Sequence, residues 1–145
     1  GQGRLRPPPG SEARRRFTYW LHFAEGSAMP PLLMTRVFDQ VKSKSPLLVK
    51  PIAKGIADQV GKAFLRPNLD SQMRFMEAEL STRPWFAGDE FTAADVQMSF
   101  PLEAAAARGV LDARHPKLQD WLERIHARPA YHRALEKGGP YSVMS

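Results

Sequence analysis

PWFAGDEFTAADV, residues 84–96, ends a loop and begins a helix. Pro84 and Gly88 punctuate the loop. Thr92 and Asp95 then stand three positions apart, the spacing of a capping box. The Thr92 hydroxyl can accept the backbone N–H of Asp95, and the carboxylate can reach back to the N–H of Thr92. That carboxylate also lies at the positive end of the helix dipole. Phe91 and Val96 flank the box at the spacing of a hydrophobic staple. From the cap the helical pattern runs through Met98, Leu102 and Ala105 to Gly109, with Pro101 inside it as an expected kink. The alanines at 104–107 let neighbouring helices approach closely, as a central buried helix requires.

Working back from this helix, residues 50–81 carry a second helical pattern. Its first stripe is Ile52, Ile56, Val60 and Ala63, and Leu69, Met73, Met76 and Leu80 continue it beyond a bend expected at Pro67. Met73 and Met76 read as core packing. Glu77 and Glu79 fall on different faces, so they do not form a catalytic carboxylate pair. Earlier still, Ser11 is placed to cap a long helix. Phe17, Trp20, Leu21 and Ala24 form one apolar stripe of it, and Tyr19, His22, Phe23 and Gly26 form another. A helix with two such faces must touch two things. Pro30 and Pro31 predict a kink or short break, after which Leu33, Val37 and Val41 resume the pattern toward a turn at 43–46. Two long helices joined this way make an antiparallel hairpin. Downstream, Pro116 and Pro129 are well placed as first residues of two further helices, the last ended by Gly138-Gly139-Pro140. There is no internal repeat and no convincing strand. The expectation is an all-α bundle of at least five helices, with a linker at 1–10, the domain at 11–140 and a tail at 141–145.

The composition agrees. The chain has 145 residues, 43% of them hydrophobic, which suits one domain with a real core. No run approaches the ~20 apolar residues of a membrane span, and the polar, proline-rich start is not a secretory signal. The absence of cysteine excludes disulfides and thiolate chemistry. The four histidines, His22, His115, His126 and His132, lack metal-binding spacing, so no metal is expected. Of the formal charge of +6, residues 1–16 supply five arginines against Glu12 alone, a balance of +4. The excess therefore reads as a terminal cluster, with Arg14–Arg16 as a solvated helix start. Without aromatic residues to stack on bases, it does not suggest nucleic-acid binding.

Three segments, in order, carry a family likeness. YWLHFAEGSAMPP (19–31), PWFAGDEFTAADV (84–96) and HPKLQDWLERIHARPAYHRAL (115–135) resemble the C-terminal helical domain of glutathione transferases, in particular a bacterial and fungal branch. The resemblance implies that the capping box is a folding device. It implies a homodimer, glutathione as co-substrate and a small hydrophobic electrophile, while the cysteine-free composition suits a cytoplasmic setting. It also implies that the thioredoxin-like domain, which holds glutathione and activates its thiol, is not among these residues. The chain begins with Gly about where an inter-domain linker should fall. No catalytic residue is then expected here, and the chain alone should be inactive. Tyr19, His22, Phe23 and Gly26 would face the electrophile pocket, or else pack against the thioredoxin-like domain or a dimer partner. A scaffold role, as in translation factors with domains of this fold, is the alternative.

Overall fold

Ser11 is extended and its hydroxyl accepts the Arg14 N–H at 3.1 Å, so the first helix starts at a proper cap. The computed structural model describes residues 3–139; the expected limit at 140 and the tail at 141–145 lie outside them. Helix α1 (Glu12–Phe23) passes into a π-helical stretch, Ala24–Ala28, and then into α2 (Met29–Lys44). After a turn over Ser45–Val49, α3 (Lys50–Val60), a second π-helical stretch (Gly61–Leu65) and α4 (Arg66–Leu80) return antiparallel to the first arm. Helices α5 (Ala93–Ala107), α6 (Pro116–His126) and α7 (Pro129–Gly138) complete the bundle. The fold is all-α. Among the described residues the nearest thing to a strand is one bridge, Trp85 to Gly88.

The prolines do not break the long helices. Pro30, Pro31 and Pro67 each sit in the first turn after a π-helical stretch. There Met29 and Arg66 donate five residues back, to the carbonyls of Ala24 and Gly61. The wider turn makes room for the proline rings, and π-bulges are a recognised source of bends. Pro31 also deprives the Ser27 carbonyl of its usual N–H donor. Gln72, on the opposite arm, donates its side-chain N–H to that carbonyl at 2.8 Å. Pro101 lies buried within α5, which runs through it as one helix.

Helix α5 is the core element: Ala94, Met98, Leu102 and Ala105 are buried, and α1, α4 and α6 enclose it with Trp20, Met73, Met76, Leu118 and Trp121. This cover is local to the near half of the hairpin. The first arm, of 12, 5 and 16 residues, extends roughly 50 Å, whereas the 15 residues of α5 extend roughly 22 Å. The apolar stripes of the far half are therefore uncovered. Leu33, Val37, Val41, Ile52 and Ile56 are all exposed, while Pro31, Leu32, Ala57 and Leu65 are buried.

Two expectations about the amino-terminal end also change. Residues 3–10 form turns, not an extended linker, and the Leu5 carbonyl accepts the otherwise unpaired N–H of Ala93 at 2.9 Å. The arginines at 14–16 are not all solvated. Arg14 donates to the Pro7 carbonyl, and Arg16 pairs with Glu79 and donates to the Phe86 carbonyl. Nor is positive charge confined to that end. Residues 41–66 hold Lys42, Lys44, Lys50, Lys54, Lys62 and Arg66 against Asp58 alone.

The Gln72 bond replaces one that Pro31 removes, so Gln72→Ala should cost about 1 kcal/mol in urea denaturation, with the denaturant slope unchanged. A Gln72→Ala protein as stable as the parent would show that the Ser27 carbonyl finds another donor.

Candidate functional site

Asp95 is fully buried and its carboxylate accepts four hydrogen bonds. One oxygen takes the Phe86 N–H at 3.0 Å and the Trp121 indole N–H at 3.3 Å. The other takes the Thr92 N–H at 2.9 Å and the Thr92 hydroxyl at 3.1 Å. Burial pushes the carboxyl up from its ordinary range, and these four donors pull it back toward the ionised form. The Thr92 hydroxyl accepts from Ala94 N–H at 3.3 Å. Asp95 thus joins the loop at Phe86, the start of α5 and the middle of α6. Phe91 packs against Trp85 and lies under the Arg128 guanidinium at 3.6 Å, while Val96 is half-exposed. The Arg124 guanidinium covers Trp85 and donates to the Pro84 carbonyl at 2.9 Å.

Two other carboxylates serve the frame. Glu77 accepts the backbone N–H groups of Lys117 and Leu118, each at 2.9 Å, capping α6 from another helix. His115, at the α6 cap position, makes no side-chain cap bond of its own. Glu103 is buried and accepts from Tyr131 at 3.0 Å, with the His126 ring at 2.9 Å. This ties α5, α6 and α7 together. Burial, and then the bond to Glu103, push the Tyr131 hydroxyl up to about 12.

The residues singled out on α1 divide. Tyr19 and Phe23 stack at 5.8 Å over the buried Trp20. Phe75 joins them from α4, its ring 5.4 Å from that of Trp20, 5.8 Å from Phe23 and 6.4 Å from Tyr19. Tyr19 is 50% exposed and Phe75 39%. Tyr19 borders a shallow depression of about 440 Å³ with Arg15, Arg16, Phe75 and Glu79. His22 and Gly26 are exposed beyond this cluster. Phe75 lies off the core stripe of its helix, and that was the available sequence signal for it. A separate groove of about 780 Å³ runs between α2, α3 and the end of α5, lined by Thr35, Phe38, Asp39, Asp58, Lys62, Arg66 and Arg108 among others.

Residues 44–129 match the family model described as "Glutathione S-transferase, C-terminal domain". Glutathione S-transferase 1 of Saccharomyces cerevisiae is 31% identical over 122 residues, covering 82% of this chain and 52% of its own. Glutathione S-transferase 3 of Schizosaccharomyces pombe is 28% identical over 122 residues, covering 84% and 50%. A solved glutathione S-transferase from Actinobacillus pleuropneumoniae shares the fold at 22% identity, with a TM-score of 0.70 over 99% of this chain and 62% of that one. This chain belongs to the glutathione S-transferase family, through its C-terminal domain, and spans about half the length of the curated relatives it matches.

Asp95→Ala strands four buried donors, and should cost about 2–4 kcal/mol. Asp95→Asn should cost nearly as much despite its shape, because its amide N–H must face another donor. Denaturant unfolding checks both, and an Asn variant as stable as the parent would contradict the four-donor geometry. For Tyr131 the raised value means that the folded state keeps its proton while the unfolded chain loses it. Its contribution is therefore whole below pH 10 and lost as pH rises from 10 towards 12. Tyr131→Phe should flatten the alkaline stability limb over that window.

Proposed function

We propose that this domain supplies the apolar-electrophile wall of a glutathione transferase and part of its dimer interface. The reading rests on one observation: the aromatic cluster of Tyr19, Phe23 and Phe75, seated on a buried Trp20 yet open on its outer side. A soluble domain does not ordinarily leave stacked rings uncovered unless they meet a ligand or another protein surface. Such a wall binds a flat, apolar electrophile by contact area and ring stacking. Glutathione, its thiol activation and the conjugation step fall to the thioredoxin-like half that the family resemblance implies. The domain contributes binding and orientation of the second substrate. The arginine-rich start is the feature that would lean toward a scaffold role. Arg14 and Arg16 are instead engaged within this domain, which favours the enzymatic reading.

The chain alone should not conjugate glutathione to an aryl halide above the uncatalysed rate; a rate well above background would overturn this division of labour. In a protein carrying both halves, Phe23→Ala should raise KM for the electrophile about fivefold, the equivalent of ~1 kcal/mol of lost apolar contact, with KM for glutathione unchanged. Two-fold pairing through the exposed α1/α4 face is part of the same proposal. Light scattering should give a dimer, and a strict 16.3 kDa monomer at high concentration would count against it; Tyr19→Glu should break the pair only if the pairing buries that stripe, and leave it intact if the stripe stays open to the electrophile.

A further inference from the structure

The far end of the hairpin is a second uncovered apolar surface, distinct from the aromatic cluster. Leu47 and Leu48 occupy the turn between α2 and α3 and are 85% and 94% exposed. Val49 follows them, and Ile52 and Ile56, also exposed, continue one face of α3 at helical spacing. Lys44 ends α2 on one side of the turn and Lys50 begins α3 on the other. Lys42 and Lys54 stand one turn or less behind. Lys42 pairs with Asp58 at 2.7 Å. The tip is thus an apolar wedge with a cationic collar.

We propose that this tip docks on the surface of an anionic lipid bilayer. Leu47 and Leu48 would enter the boundary between headgroups and acyl chains, and Lys44 and Lys50 would meet the acidic headgroups. Charge complementarity selects this occupant. Protein interfaces are depleted in lysine, whereas lysines beside exposed leucines suit a negatively charged membrane surface. The shape agrees, since a projecting helical turn can be inserted end-on. No helix among the described residues is long and apolar enough to cross a membrane, and surface docking needs none. The expectation from sequence is no membrane partner, because hydropathy reports spanning segments and says nothing of lysines gathered beside exposed leucines.

Co-sedimentation with vesicles tests this. The chain should bind vesicles of equal parts phosphatidylserine and phosphatidylcholine, bind phosphatidylcholine alone far less, and be released by molar salt. Lys44→Gln with Lys50→Gln should weaken binding about 30-fold, at about 1 kcal/mol per lysine. Leu47→Ser with Leu48→Ser should weaken it at least about tenfold. Both leucines are exposed, so helical circular dichroism should not change. Failure to bind phosphatidylserine vesicles overturns the proposal, as does binding indifferent to the leucine pair. Loss of the dimer by the leucine variant, with lipid binding intact, would reassign the tip as an interface between copies of the chain. Tyr19→Glu, which tests the other face, should leave lipid binding unchanged.

Discussion

The structure depends on one buried carboxylate. Asp95 cannot be ionised at the centre of an apolar bundle unless donors surround it, and four do. They come from three places in the chain: the loop at Phe86, the cap residue Thr92 and the indole of Trp121. Satisfying one charge therefore fixes how the loop enters α5 and how α6 lies across it. The cation–ring contacts of Arg124 and Arg128 then hold the same loop from outside. Within this clamp Phe86 and Trp121 are fully buried, their rings 5.1 Å apart.

The hairpin is organised in the opposite way. Its near half is covered by α5 and is part of the core. Its far half outruns α5 and presents apolar and basic side chains outward. The π-helical stretches lie at the junction between the two halves, where Pro30, Pro31 and Pro67 forbid ordinary hydrogen bonding. One pair of helices thus gives its near half to the core and leaves its far half projecting.

Local signals in the sequence are legible. Ser11, Thr92, Pro116 and Pro129 mark helix starts because caps and first-turn prolines act on their immediate neighbours. Partners distant in sequence were not legible. Glu77 caps α6, Arg16 reaches the Phe86 carbonyl, and Leu5 supplies an acceptor to Ala93; nothing in the spacing of these residues announces such pairs. At Ile52 and Ile56 periodicity predicts the helix, which forms, and is silent on burial. It shows that a helix has an apolar face, but not whether anything covers it. In the candidate site, Tyr19 and Phe23 stood out as a second stripe, while Phe75 joins them only through the packing of α4 against α1.

Asp95 couples the loop and α5 into one cooperative unit. Native-state hydrogen exchange at the amides of Phe86 and Thr92 measures this most directly. If the carboxylate holds both, they should exchange only through global unfolding, with the same opening free energy as amides in the middle of α5. Rapid exchange at Phe86 or Thr92 while α5 stays protected would contradict the account.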